Sequence, residues 1–404
     1  MDLAARVRGE FPLLARSIGD HPLIFLDAAS TTPKPRVVID AVRDVYETST
    51  ANVHRGVHPL GEIATQHYEA ARLEVASLIG ASPSEVVFVR GATEAINLVA
   101  SGLELTRDDE VIFPASEHHA NFLPWRVRAK PVLAPIDESG VPRWEEIERL
   151  FTPKTKLLAF AHASNVTGAI APVKELVALA KERGVLVLLD AAQSLSHVPI
   201  DVRDLGIDFL AASSHKAFGP SGVGILYAKK ERLAKLALYQ VGGGMVALNP
   251  DSRDEDEKDF VPLDAPFRFE AGTPAIEAAI GFGAAIKFLR SLGWDAIRAH
   301  EHALAERMMS SLGAIEGVKI LGASLPIASR LALATFVVDA PGVEQEHVAR
   351  ILADNAGICV SGGYHCTHVL HARAHLKGTV RASAHVYNTI EEIDALANAV
   401  RELV

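Results

Sequence analysis

Ser213-Ser214-His215-Lys216-Ala217-Phe218-Gly219-Pro220-Ser221-Gly222-Val223-Gly224 follows directly on the apolar run Ile207-Asp208-Phe209-Leu210-Ala211-Ala212. The run reads as a buried strand, and the Gly-rich stretch reads as the turn that leaves it. A lysine at such a strand end, flanked by small and hydroxylated residues, is placed to hold an aldehyde cofactor as a Schiff base. Ser213 and His215 would then donate hydrogen bonds to a phosphate. The plain alternative is that Lys216 is one more solvated surface charge, as most lysines are. The rest of the chain decides between the two.

Upstream, Leu186-Val187-Leu188-Leu189-Asp190-Ala191-Ala192-Gln193 is another short apolar run, here ending in an acid. It suits a parallel strand with Asp190 at its carboxyl end, where open α/β sheets place their ligands. A carboxylate there can pair with a protonated pyridine nitrogen, and Gln193 can reach the ring's phenolic oxygen. Val86-Val87-Phe88-Val89 leads into Arg90-Gly91-Ala92-Thr93-Glu94-Ala95, a strand, a Gly turn and a helix whose first amides and Thr93 hydroxyl suit a phosphate. Val111-Ile112-Phe113-Pro114 precedes Glu117-His118-His119-Ala120-Asn121, which offers an imidazole to stack on a ring. Leu157-Leu158-Ala159-Phe160 leads to Ser164-Asn165 and puts an amide at one more strand end.

Strand and helix patterns alternate from about residue 83 to 230, as in a doubly wound α/β domain. Pro172 to Lys181 has helical periodicity, with Gly184 as its stop. A second domain is expected to begin near Ala278 with a small-residue helix from Ala278 to Leu292. It continues through a strand over Ala332 to Val338 and closes with a helix from about Ile390 to Leu403. Between the two domains, Asn249 to Asp259 is polar and acidic. It reads as a solvated loop, or alternatively as a docking patch for a basic acceptor protein.

The chain has 404 residues, enough for two domains, and 49% apolar residues supply a sizeable core. Its two cysteines cannot build a disulfide framework. The N-terminus lacks the apolar core of a signal peptide, and no run is long enough to span a membrane, so a cytoplasmic protein is expected. A formal charge of −10 argues against non-specific nucleic-acid binding.

Taken in order, these segments resemble pyridoxal-phosphate enzymes of aminotransferase fold type I, class V branch, and most closely cysteine desulfurases and selenocysteine lyases. The resemblance runs from about Phe25 to the C-terminus. It also covers Leu26-Asp27-Ala28-Ala29-Ser30, Asn52-Val53-His54-Arg55-Gly56, Phe269-Glu270-Ala271-Gly272-Thr273-Pro274 and Arg381-Ala382-Ser383. It implies an α/β fold with a large, mainly parallel sheet domain over 20–265. A smaller α+β domain is implied from 1–19 and 278–404, carrying a nucleophile loop and a carboxylate-binding arginine. Lys216 would carry pyridoxal 5'-phosphate and shuttle protons. Asp190 would hold the pyridine nitrogen, His118 would stack on the ring, and Gln193 would contact the ring oxygen. Thr93, Ser213 and His215 would cradle the phosphate. Thr273 would reach the phosphate of a neighbouring subunit, which implies a homodimer with shared sites. Arg381 would clamp the substrate α-carboxylate with help from Asn165, and His54 and Ala29 would lie near the substrate.

Cys366, in Ser361-Gly362-Gly363-Tyr364-His365-Cys366, stands at the family's nucleophile position. There its thiolate would attack the substrate sulfur, leaving a persulfide and alanine, with His365 as a neighbour that lowers its pKa. The Gly-rich loop suggests mobility, and Cys359 reads as core. The family usually has Arg-Thr-Gly-His-His-Cys here, has a hydroxyl at the position of Ala92, and often has a further residue between Gly244 and Met245. The loop departure leaves selenocysteine, cysteine sulfinate or a larger cysteine derivative open as the substrate. A sulfur-acceptor protein is an implied partner. Two other readings compete. One is a class V C–S β-lyase, aminotransferase or epimerase that does not use Cys366. The other is a metal site from His365, Cys366, His368, His371 and His375.

Overall fold

The computed structural model describes residues 3–248, 260–339 and 344–404. The acidic stretch 249–259, read above as a loop or docking patch, lies outside them. The central sheet has seven strands: β1 Val86–Val89, β2 Glu110–Pro114, β3 Lys130–Ala134, β4 Thr155–Ala161, β5 Leu186–Asp190, β6 Phe209–Ser213 and β7 Gly224–Ala228. Their spatial order is β1-β7-β6-β5-β4-β2-β3. β7 runs antiparallel to both its neighbours, and the remaining pairs are parallel. β2, β6 and β7 are buried along their whole length, which is why they appear in the sequence as continuous rather than alternating apolar runs. Because β7 reverses twice over, β1 points the same way as β6. The carboxyl ends of β1, β2, β4, β5 and β6 therefore open on one edge.

The Gly-rich run after Lys216 closes that edge. A Cβ on Gly224 would lie 2.5 Å from Gly91 Cα, so only glycine lets β7 come up against the turn that opens the helix Ala92–Gly102. The helix predicted over 172–181 spans Val173–Glu182, and Gly184 turns out of it at φ +66°.

A second sheet is antiparallel throughout: β8 Val318–Ile320, β9 Leu333–Val338, β10 Ser361–Gly363 and β11 Thr379–Ser383, in the order β8-β9-β11-β10. Helices Trp294–Gly313, Gln345–Ala356 and Ile390–Arg401 cover it. Leu304, Met308, Val348, Leu352, Ile393 and Leu396 join Ala334, Phe336 and Val380 in a core separate from that of the large sheet. Thr389 and Glu392 form a reciprocal cap at the start of the last helix.

The small-residue helix begins at Ile276 and runs to Leu292. Its Ile276, Ala279, Phe282 and Ile286 belong to the core of the large sheet, together with Leu3, Val7, Phe11 and Leu14 of the N-terminal arm. The arm also reaches the last helix, where Arg8 pairs with Glu392 at 2.8 Å.

Candidate active site

A cavity of about 380 Å³ lies at the shared strand edge, within the usual size range for small-ligand sites. Thr93 reaches it from the helix after β1, His118 from the turn after β2, and Asn165 from the loop after β4. Asp190 ends β5, Ser213 ends β6, and Gln193, His215 and Lys216 follow closely. Arg381 enters from β11 and Cys366 from the loop after β10, with Ala29 beside them. Sequence reasoning therefore brings nearly all its candidates to one place. His54 and Thr273 are elsewhere in the chain. The His54 ring packs edge-on against Phe267 and faces Glu69, and Thr273 lines a second cavity of about 270 Å³ with Tyr68, Arg90 and Gln240.

Electrostatics at the cavity floor follow from burial. The Lys216 amine is pushed down to about 8, first by burial and then by Arg381, while Asp190, Cys366 and Asp27 oppose the shift. At pH 7 roughly one lysine in ten is then neutral, far more than for a solvated one. Burial pushes the Asp190 carboxyl up, against the Ala192 N–H that it accepts at 2.9 Å and against Lys216. His118 is brought down to about 4 by burial, with Lys216, His119 and Arg381 adding to it. Its Nδ1 accepts the Ala120 N–H at 3.1 Å, so the neutral ring carries its hydrogen on Nε2. Beneath it, Glu117 is buried and pushed up to about 8; its two oxygens accept the Ala161 N–H and the Asn121 side-chain amide.

Arg381 is held in place before any ligand arrives. It donates to the Asn165 carbonyl at 3.1 Å and to Ser30 Oγ at 2.7 Å, and lies 3.4 Å from Asp27. Among the described residues its buried Nε has no partner, which leaves a donor to spare. Sequence reasoning missed the holding residues Asp27 and Ser30 as such, although both stand in a quoted segment. It also missed Lys34, whose amine lies 2.9 Å from the His215 carbonyl. Thr31 and Thr32 hydroxyls and the Thr32 N–H reach the same oxygen. Four donors thus converge on the carbonyl just before Lys216.

The Cys366 loop corrects one expectation. His365 does not supply positive charge to the thiol: burial, with Arg381 next, takes it down to about 3, and Nε2 meets Thr379 Oγ1 at 3.0 Å. The cationic groups in electrostatic reach of Cys366 are Lys216 and Arg381. The loop also has fixed partners in this structure. His365 and Cys366 both sit at left-handed φ, +47° and +57°, and their carbonyls are pinned by Asn165 Nδ2 and by the His119 N–H, each at 2.9 Å. Cys366 remains exposed, and Cys359 is partly exposed in a short strand beside Phe25. His371 is buried on Thr367 and Thr379 rather than facing solvent, and Tyr364 stacks on His368, which stacks on His119. Among the described residues, the side chains grouped closely enough to hold a metal are His197, Glu301 and His385, none of which belongs to this loop.

This donor set fits a phosphorylated pyridine aldehyde. A buried amine faces a buried carboxylate, and a neutral imidazole flanks the space between. Thr93 and the first amides of an eleven-residue helix stand where a phosphate would lie.

Comparison with known proteins agrees. The aminotransferase class-V family model matches residues 24–396. A probable cysteine desulfurase from Halalkalibacterium halodurans is 41% identical, over 99% of this chain and 97% of the relative. Another from Vibrio cholerae is 39% identical over 98% of both chains. The apo cysteine desulfurase of Thermococcus onnurineus NA1 superposes with a TM-score of 0.91 at 35% identity, covering 100% of this chain and 98% of that one. The cysteine desulfurase CsdA of Escherichia coli gives 0.86 at 33% identity, covering 99% and 98%. The chain belongs to the class-V aminotransferase family, within its cysteine desulfurase group, and its cofactor is pyridoxal 5'-phosphate.

Proposed function

We propose that the chain is a cysteine desulfurase that converts L-cysteine to L-alanine and keeps the sulfur as a persulfide on Cys366. The observation that carries this reading is the convergence of Lys216, Arg381 and an exposed Cys366 on one cavity. When bound, the cofactor supplies an electron sink for charge that develops at the substrate Cα. Lys216 holds the cofactor and, once displaced by substrate, takes and returns a proton at Cα. Its lowered affinity for that proton suits both directions. Asp190 faces the ring nitrogen, and a cation there would favour the ionised carboxylate that burial alone disfavours. His118 would stack on the ring, Gln193 would meet the ring oxygen, and Thr93, Ser213 and His215 would hold the phosphate. Arg381 binds the α-carboxylate, and Asn165 holds the loop that carries Cys366. The Cys366 thiolate attacks the substrate sulfur. An S–S bond forms as the S–Cβ bond breaks, and the electron pair left on Cβ takes up a proton to give alanine.

The cofactor phosphate is read as completed by the partner's Thr273 in a homodimer, which accords with the place of Thr273 outside the cavity of one chain. His54 belongs to the same reading. No helix among the described residues is long and apolar enough to cross a membrane, and a cytoplasmic site of action with a protein sulfur acceptor accords with that. Selenocysteine is a second substrate of the same chemistry.

The test is an amino-acid and keto-acid balance with L-cysteine and a reductant, run beside Cys366→Ala and repeated with L-selenocysteine. Alanine and sulfide from the wild type, with alanine from cysteine lost in the variant, are expected. Pyruvate and ammonia, or alanine formation untouched by the variant, would overturn the role of Cys366.

A further inference from the structure

His197, Glu301 and His385 are brought together from the loop after β5, the helix Trp294–Gly313 and the residues after β11, and all three are buried. His197 Nδ1 and His385 Nδ1 lie 2.8 and 3.1 Å from the same Glu301 oxygen, Oε1. The imidazoles stack with centroids 4.0 Å apart, and the Phe218 ring lies 4.5 Å from that of His385. On its other side, His385 Nε2 is 3.1 Å from Ser196 Oγ, and Ser196 donates to the Lys216 carbonyl at 3.1 Å. The chemistry proposed above uses none of these groups.

Counting hydrogens gives the cluster a direction. Ser196 has one hydrogen, and it goes to the Lys216 carbonyl. Its oxygen therefore accepts from His385, which places a hydrogen on Nε2. His385 Nδ1 accepts the Val386 N–H at 2.9 Å, so the ring is neutral with its hydrogen on Nε2, and Glu301 Oε1 lies 3.1 Å from that Nδ1. His197 Nδ1 meets the same Glu301 oxygen, so a chain of close polar contacts runs from His197 through Glu301, His385 and Ser196 to the backbone of Lys216. Its central member follows Arg381 on the same strand exit, with Ser383 between them bonded to Leu26 and Ala29.

We propose that Glu301, His385 and Ser196 are positioning residues that keep the Lys216 amine in register with the Arg381 guanidinium across the two sheets. The proposal rests on the cofactor-binding reading of Lys216, and it deepens that reading by naming what braces the lysine from below. His215 and Lys216 present successive carbonyls, the first gripped by Thr31, Thr32 and Lys34, the second by this chain.

The test uses the purified holoprotein and the pH midpoint of the cofactor's visible absorbance, a readout that needs no turnover. One net hydrogen bond corresponds to roughly fivefold in an equilibrium. Ser196→Ala should therefore move the midpoint, by about 0.7 pH unit at most because the bond is made in both protonation states, with Ser196→Thr restoring it. Glu301→Gln should act in the same direction, and the double variant should go no further than the larger single, because the two sit in series. The KM for L-cysteine should rise in parallel. Should the protein turn out not to desulfurate cysteine, the absorbance midpoint still decides this proposal. Unmoved midpoints or additive effects would overturn it. So would a stoichiometric metal in the purified protein that is lost in Glu301→Gln, since a cation would then hold the two imidazoles and the carboxylate together. If Glu301→Gln does not fold, Ser196→Ala alone, which removes one oxygen, carries the test.

Discussion

Asn165→Ala isolates the brace on the Cys366 loop. His365 and Cys366 both occupy the left-handed region, at +47° and +57°. That conformation costs an L-residue about 1–2 kcal/mol, so the pair stands about 2–4 kcal/mol above a relaxed loop. Opposing this are the Asn165 amide on the His365 carbonyl and the His119 N–H on the Cys366 carbonyl, each at 2.9 Å. Each is worth about 1 kcal/mol net. Removing the amide should shift the loop about fivefold away from its poised form. The contact between Arg381 and Asn165 goes through the Asn165 backbone carbonyl and survives the substitution, so the Arg381 guanidinium keeps its place. Two assays read the result in a Cys359→Ala background, where Cys366 is the one remaining thiol. Alkylation of Cys366 by iodoacetamide should speed up, and alanine formation from L-cysteine should fall about fivefold in kcat with KM little changed. If alkylation and kcat both stay within twofold of the parent, the loop does not depend on this bond and the strain argument fails.

Glu117→Gln gives a pH-dependent stability difference. Burial lifts this carboxyl from its ordinary 4.5 to about 8, so the stability it contributes is complete below 4.5 and is lost as pH rises towards 8. The loss is at most about 5 kcal/mol. Glutamine has no such loss but puts an NH2 group against a donor, so its Tm relative to wild type should climb steadily from pH 5 to pH 8; a flat difference would show that Glu117 is ionised throughout. Gly283→Val tests packing alone: a Cβ there would stand 2.7 Å from Ala71 Cβ. The expected cost is about 1–3 kcal/mol, read as a lower Tm with unchanged cofactor absorbance.

The strands were legible because each is covered on both faces. A run such as Leu186–Asp190 or Phe209–Ser213 has no solvent side to interrupt its apolar residues, and the residue that ends it stands out. That is why Asp190 and Lys216 could be placed from their neighbours. The bonds that hold the Cys366 loop were illegible for the opposite reason. Its glycines speak for freedom, while the groups that remove that freedom, Asn165 and His119, lie some two hundred residues or more away in the chain. The neutral state of His365 is equally remote in origin, since burial and Arg381 set it. That His371 is buried was equally hidden, because a six-residue helix, His368–Arg373, is too short to show which face it buries.

Lys216 and Arg381 belong to different sheets, and neither sheet's own hydrogen bonds fix the distance between them. The segment Leu26–Lys34 does so on one side. Leu26 and Ala28 bond Ser383 on the β11 exit, Ser30 holds Arg381, and Thr31, Thr32 and Lys34 grip the His215 carbonyl. Ser196, His385 and Glu301 do so on the other. Burial of an unpaired guanidinium or amine is costly, so each charge needs fixed partners whether or not a ligand is present. The same partners that meet this cost set the spacing of the two groups. That is the physical reason a buried amine and a buried guanidinium can be presented together by two layers that share no strand.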